Sequence, residues 1–166
     1  IHTPLYWGNL LEPKVAEAYA TATGNKVRRV NAVLQHPDAD KPWTLANLDY
    51  AVAGNPEVQI LECKTTGLNG ARLWADGVPE YIQCQVQHQL AVTGKLAADV
   101  AVLICGQELP LHRIERDYTA INKLMVLERS FAQLLPTDTP PNPRRHTPAL
   151  RPPRHHTTHA RRAPRR

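Results

Sequence analysis

The residues predict a mixed α/β (α+β) fold, a central mixed β-sheet flanked by helices. Three observations carry that expectation. Stretches with helical spacing of apolar residues stand near the start, in the middle and near the end of the first 136 positions. Between them lie short Val-, Leu- and Ile-rich stretches separated by turns that contain Gly or Pro, the pattern of strands joined in hairpins. One of these stretches, VQILECKTTG at 58–67, has apolar residues on both of its alternating faces, which suits a strand covered on two sides.

Taken in order, the first helix is expected over 13–23. Val15, Ala18, Tyr19 and Ala22 follow the i, i+3, i+4, i+7 rule, and Gly24 ends it. Its start has two readings: Asn9 as cap with Glu12 at the third position, or Glu12 itself ahead of Pro13 at the first helical position. A strand follows over 27–34 and another over 48–52. The latter joins 58–67 through Gly54-Asn55-Pro56 as a hairpin. Within 58–67, Glu62 and Lys64 share a face with Val58 and Ile60, and Gln59, Leu61 and Cys63 take the other. A second helix over 79–93 buries Ile82, Val86 and Leu90 and stops at Gly94. A second hairpin, 99–105 and 108–115, turns at Gly106-Gln107. The last helix, 118–135, is expected to bury Ile121, Leu124, Met125, Phe131 and Leu135 before Pro136. The order is α-β-β-β-α-β-β-α.

The chain has 166 residues, room for one domain with a real core. Its formal charge of +5 is unevenly placed. Positions 144–166 hold eight Arg and no acid, leaving twelve Lys and Arg against all fifteen acids in the rest, a net of −3. From Thr137 onward the apolar residues are Ala149, Leu150, Ala160 and Ala163, too few to offset the entropy of ordering. The expected organisation is therefore a folded domain over 1–136 and a disordered Pro/Arg/His-rich tail over 137–166. An Arg run of this kind grips nucleic acid without sequence preference. The start at Ile1, without Met and almost directly in a structured pattern, is read as a missing N-terminal segment. Cys63, Cys84 and Cys105 form no CxxC pair, and an odd count suggests free, buried thiols in a reducing compartment. No apolar run approaches membrane-spanning length, so no membrane is expected among the partners.

The chemistry concentrates at the end of 58–67. Charges there either leave the core or line a site. Hairpin pairing brings Asp49 near Glu62, so two carboxylates and the Lys64 ammonium share a small space. Two like charges held together are unfavourable without a cation, and Mg²⁺ suits carboxylate oxygens. The Cys63 main-chain carbonyl is a further oxygen for it. Lys64 cannot bind a cation; it can handle a water or stabilise charge on a phosphate. The bland alternative is a solvated rim pair. On the second helix, Tyr81, Gln85 and His88 are spaced to share one polar face, with Gln83, Gln87 and Gln89 around them. Glutamine bonds phosphate or base without adding charge beside a metal; the alternative there is a plain polar face.

Four motifs in order, WGNLLEPKVAEAYATATG, LDYAV, ILECKTTG and VPEYIQCQVQHQLAVTG, resemble the YqaJ-type viral recombinases over about 6–141. These are relatives of phage lambda exonuclease in the PD-(D/E)xK nuclease superfamily. The resemblance implies a restriction-endonuclease-like core and Mg²⁺-dependent hydrolysis of double-stranded DNA, 5′→3′, in phage-type recombination, with Mn²⁺ as an expected substitute. It implies that Asp49 and Glu62 are the metal carboxylates and Lys64 the catalytic lysine. Glu12 matches the acid on the first helix, reaching the site through water or a second metal, and Tyr81 and Gln85 match substrate-binding residues. It also implies a trimeric ring, a single-strand annealing protein as partner, and the cytoplasm of a bacterial host or phage-infected cell. In two respects the chain departs from the pattern. Leu48 stands before Asp49 where the family has Pro, and the family's Gly-Ser-Asp segment, which helps grip DNA, has no counterpart in these residues. Two alternatives follow: a truncated prophage remnant that folds without cutting, or an endonuclease of the same fold.

The tail carries a prediction of its own. Deleting 144–166 is expected to leave the melting temperature unchanged and to flatten the salt dependence of DNA binding, because up to eight cationic phosphate contacts are lost. A melting temperature several degrees lower would overturn the domain boundary.

Overall fold

The computed structural model describes residues 3–138 and 140, so all of the expected tail except Thr137, Asp138 and Pro140 lies outside the described residues. Helix α1 (Pro4–Thr23) leads into strand β1 (Lys26–Arg29), a small pair β2 (Val33–Gln35) and β3 (Leu45–Asn47), and the strands β4 (Tyr50–Ala53) and β5 (Ile60–Thr66). A short helix α2 (Leu68–Ala71) and a 3₁₀ turn (Arg72–Trp74) connect to α3 (Glu80–Thr93). Strands β6 (Ala97–Ile104) and β7 (Leu111–Glu115), then α4 (Tyr118–Ala132) and a second 3₁₀ turn (Leu135–Thr137), complete the order. The main sheet runs β1-β4-β5-β6-β7, and β2-β3 forms a separate two-stranded sheet. β5 and β6 pair in parallel, which the crossover through α3 permits; the other neighbours are antiparallel.

The expected mixed sheet between helices is therefore present, and its two central strands are covered on both faces. On one side α1 sets Val15, Ala16 and Tyr19 against Leu61, Cys63, Ala97 and Ala101. On the other, α3 and α4 set Ile82, Val86, Leu90 and Ile121 against Ile60, Ala98, Val100 and Val102. The face alternation of β5 holds from Ile60 onward. Val58 precedes the strand and packs with Leu61 on the α1 side, not with Ile60 as a continuous strand would require.

Several boundaries differ from the sequence expectation, each for a local reason. α1 begins nine residues early: Thr3 caps it, accepting from the Tyr6 N–H at 3.4 Å, and Pro4 supplies the fixed φ suited to a first turn. Pro13 lies inside the helix, where its missing N–H forgoes one bond in a segment of 20 residues. The buried stripe is Val15, Ala16 and Tyr19, while Ala18 and Ala22 face solvent. The single strand expected over 27–34 divides: the Val30 N–H to the Asp49 carbonyl (3.1 Å) is the last rung of the β1–β4 ladder, and beyond it the chain leaves the main sheet and Val33–Gln35 pairs with β3. On α4, the apolar cluster takes Ile121 and Met125 and Leu124 is half-buried; Phe131 and Leu135 are exposed. Of the cysteines Cys63 is buried, but Cys84 and Cys105 are exposed. Among the described residues no helix is long and apolar enough to cross a membrane.

Polar clamps fix α3 against its neighbours. Gln87 donates to the Glu115 carbonyl at 2.7 Å and accepts from the Asp117 N–H at 2.9 Å, joining β7 to the start of α4. The His88 ring lies between two acceptors, the Glu128 carboxylate on α4 (Nδ1, 2.7 Å) and the Leu45 carbonyl on β3 (Nε2, 2.8 Å). Imidazolium alone donates from both nitrogens, and the Glu128 bond raises the His88 pKa above its ordinary 6.5. A raised folded-state pKa gives stability that is full below about 6.5 and is lost as pH rises through the folded value. His88→Gln is therefore expected to lower unfolding free energy at pH 6 by about 1–2 kcal/mol, with a smaller deficit at pH 9. Urea unfolding at the two pH values checks this, and an equal deficit at both would refute the charged clamp.

Candidate active site

The site forms where β5 passes the end of β4. β4 covers β5 only at Tyr50↔Leu61 and Ala51↔Ile60, so from Glu62 onward that edge of β5 has no strand beside it. Asp49, the residue before β4, fills the place. Its Oδ2 accepts from the Cys63 N–H at 2.8 Å, and its own carbonyl accepts from Val30. The N–H and C=O of one strand residue leave on the same side. The Cys63 carbonyl is thus carried to the Asp49 side of the strand, where the sequence reading wanted it.

Glu62 is 2 % exposed, in the middle of a strand buried on both faces. A carboxylate there must be compensated, and three side chains do it. Lys64 Nζ donates to Oε1 at 2.6 Å, Gln85 Nε2 to the same oxygen at 2.6 Å, and Gln89 Nε2 to Oε2 at 2.7 Å. Asp49 is less well served. Burial, and then the Glu62 charge, push its pKa from 3.8 up to about 6, with Glu12 adding a smaller push in the same direction; the Cys63 N–H and Lys64 oppose them. Glu12 approaches from α1, largely shielded, with Arg29 of β1 at 3.5 Å. Burial, with Asp49 the largest nearby charge, also drives the Cys63 thiol far above its ordinary range, so Cys63 serves through its main chain rather than as a thiolate.

The structure therefore brings Asp49, Glu62, Lys64 and Gln85 together with the Cys63 main chain, and sets Glu12 close enough to act on Asp49 electrostatically. Tyr81 is 62 % exposed, one turn before Gln85 on the same helix. The polar face expected on α3 is not shared as the sequence reading had it. His88 belongs to the clamp on Glu128 and Leu45; Gln83 donates to the Val78 carbonyl at 2.7 Å, and Gln87 joins β7 to α4. Gln89, not His88, follows Gln85 onto Glu62. The signal for it was the exact i, i+4 spacing from Gln85, lost among four glutamines in seven residues.

Among the described residues no three His, Cys, Asp or Glu side chains converge on a metal ion by themselves. The oxygen set that does fit is two carboxylates and a main-chain carbonyl, the type that holds a hard divalent cation together with waters. Burial, and after it the Glu62 charge, raises the Asp49 pKa, and a positive charge beside it would offset both.

Known proteins resemble the chain in sequence and in fold. The YqaJ protein of Bacillus subtilis (strain 168) is 41 % identical over 129 residues, 76 % of this chain and 39 % of that protein. The chain thus spans about two-fifths of the length of that relative. The alkaline exonuclease LHK-Exo from Laribacter hongkongensis has a similar structure, with a TM-score of 0.70 and 23 % identity over 83 % of this chain and 71 % of that one. LHK-Exo in complex with dAMP gives 0.69 and 26 % over the same shares. A phage related exonuclease from Haemophilus somnus 129PT, at a TM-score of 0.57 and 13 % identity over 79 % of this chain and 71 % of that one, shares the fold. The model of the YqaJ-like viral recombinase domain matches residues 2–96, more than half of the chain, and the chain belongs to that family.

Proposed function

We propose that the chain is a metal-dependent deoxyribonuclease that digests linear double-stranded DNA from the 5′ end in phage-type recombination. The observation that carries the reading is the buried Glu62 carboxylate, paired with Lys64 and set beside a second, under-compensated carboxylate, Asp49. The names of the similar structures, an alkaline exonuclease and a phage related exonuclease, support hydrolysis of a nucleic acid phosphodiester.

In this reading Asp49, Glu62 and the Cys63 carbonyl hold Mg²⁺, and Mn²⁺ substitutes for it. The bound cation supplies a Lewis acid for the scissile phosphate. The residues supply the rest. Gln85 keeps Glu62 Oε1 in place at 2.6 Å. Lys64 stands 25 % exposed at the mouth of the site. With a cation held there, Lys64 would orient a water or meet the charge that develops on the phosphate. Water is added across the P–O ester bond. Glu12 acts from α1 through water, and Tyr81 lies on the face that DNA would approach. A trimeric ring and a single-strand annealing protein are the proposed partners. Linear 5′-phosphorylated duplex, compared with closed circular DNA in Mg²⁺ and in EDTA, tests the reading: loss of the linear form alone, abolished by EDTA, is expected, and cutting of the circle would make it an endonuclease.

The metal assignment is best tested at Asp49. Glu62→Gln also removes a charge, but it turns an amide N–H₂ toward Lys64 and two glutamines, so its effect on folding clouds the result. Asp49→Asn keeps an oxygen for the Cys63 N–H. It is expected to abolish Mg²⁺ binding by calorimetry and all cleavage. The stability of the metal-free protein tests the same site. The folded-state pKa of Asp49 is raised, so its contribution is full below about 3.8 and is lost as pH rises through about 6. At pH 8 without metal, Asp49→Asn should therefore melt at a higher temperature than the wild type, and at pH 4 the two should nearly coincide. Unchanged Mg²⁺ affinity in the variant would remove Asp49 from the site.

Lys64 is expected to serve chemistry more than binding. Lys64→Ala should lower the single-turnover rate by roughly two to four orders of magnitude, the range for charge-stabilising or proton-handling groups. DNA affinity in Ca²⁺, measured by fluorescence anisotropy, should change little. A collapse of affinity instead would make Lys64 a phosphate anchor.

A further inference from the structure

Among the described residues, Gln89 is the one glutamine of α3 that is both buried, at 2 % exposure, and bonded to the site. Its Nε2 makes two bonds, 2.7 Å to Glu62 Oε2 and 3.0 Å to the main-chain carbonyl of Asn47. Asn47 ends β3, two residues before Asp49. One planar amide therefore spans from the segment that carries the first acid to the carboxylate of the second.

The other end of that amide is the telling feature. Gln89 Oε1 is buried and has no hydrogen-bond partner. The amide cannot be turned over to relieve this, because Oε1 would then face a carbonyl and a carboxylate, both acceptors. A side chain selected by packing alone leaves no polar atom stranded; Met or Leu fills a similar volume without that loss. The stranded oxygen is tolerated because the N–H₂ has two specific acceptors to hold. Gln85 differs: it is exposed and shares Oε1 of Glu62 with Lys64.

We propose that Gln89 is a positioning residue that sets the separation of Asp49 and Glu62 and the rotamer of Glu62. Gln89 holds Oε2 while Lys64 and Gln85 hold Oε1, so both ends of the carboxylate are fixed. The proposal rests on the nuclease reading above and deepens it. Outer partners that orient a metal-binding carboxylate act in this way, and their removal typically weakens metal affinity by about ten- to a hundred-fold.

The test compares wild type with Gln89→Met, which keeps the volume and removes both donors. Mg²⁺ affinity is read by calorimetry on the full chain, melting temperature on the metal-free protein, and kcat and KM on linear duplex DNA. The expected result is Mg²⁺ affinity about ten-fold weaker or more, kcat lowered with KM nearly unchanged, and a metal-free melting temperature below that of the wild type, since Glu62 Oε2 loses its donor. Should Gln89→Met fail to fold, Gln89→Asn takes its place; its amide is one methylene too short to reach both acceptors and should show the same loss. Equal Mg²⁺ affinity and kcat in the folded variant and in the wild type would overturn the proposal and leave Gln89 structural. A wild type that binds no Mg²⁺ would overturn the metal-dependent reading itself, a separable outcome.

Discussion

A carboxylate in the middle of a strand buried on both faces is the constraint on which the rest depends. Glu62 lies between two apolar clusters, where an uncompensated charge would cost several kcal/mol. Three donors must therefore reach it, and their positions explain the neighbouring structure. Lys64 returns to the same face two residues on, as strand alternation requires. Gln85 and Gln89 come one helical turn apart on α3, so the helix must run across β5 with that stripe turned toward Glu62. The crossover from β5 through α3 to β6 does this, and the same crossover makes the β5–β6 pairing parallel. Once α3 is placed, its remaining polar side chains bind what lies around it: Gln87 the β7–α4 junction, His88 β3 and α4.

Much of this was legible in the sequence, and the residues show why. Gly24 and Gly94 end their helices in the left-handed conformation at φ 73° and 69°, where a side chain is unfavourable. Asp49, Glu62 and Lys64 could be read as a group because hairpin pairing and strand alternation are short-range rules. What escaped needed long-range information. Gln89 and His88 are adjacent, equally polar, and on neighbouring stripes of one helix; only the position of β3, α4 and β5 around α3 decides that one turns to Glu62 and the other to Glu128. The early start of α1 was hidden because Pro13 reads as a first-turn residue, although Thr3-Pro4 is an equally local cap and first-turn pair. The split of 27–34 depends on two distant partners, β4 for Lys26–Arg29 and β3 for Val33–Gln35.

The opposite face of the sheet, one register position from Glu62, shows what a structural acid looks like in this fold. Asp99 on β6 is 7 % exposed, yet it is fully engaged: the Tyr19 hydroxyl donates to Oδ2 at 2.7 Å and Arg113 Nε to Oδ1 at 3.2 Å. Arg113 also reaches Glu57, and Tyr19 accepts from Asn25, which in turn accepts from Asn55 of the β4–β5 turn. The network ties α1 to three strands or turns. Burial, reinforced by Asp99, pushes the Tyr19 pKa up to about 12, so the phenol stays a donor at any ordinary pH. Asp99 has a permanent cation and a permanent neutral donor.

Asp49 has neither. Its bond at Oδ2 comes from a main-chain N–H, and the nearest ammonium is occupied by Glu62. The buried Asp99 thus has a cation and a side-chain donor from its own chain, and the half-buried Asp49 has a main-chain donor and no cation of its own. That asymmetry separates scaffold from site more firmly than the Glu-x-Lys triplet does, since a rim ion pair would leave Asp49 near its ordinary pKa. It also accounts for the place of the site. β4 must stop at Tyr50 for Asp49 to reach the Cys63 N–H, and that early stop leaves the end of β5, with its carbonyl, its carboxylate and its ammonium, open to a cation and a phosphate.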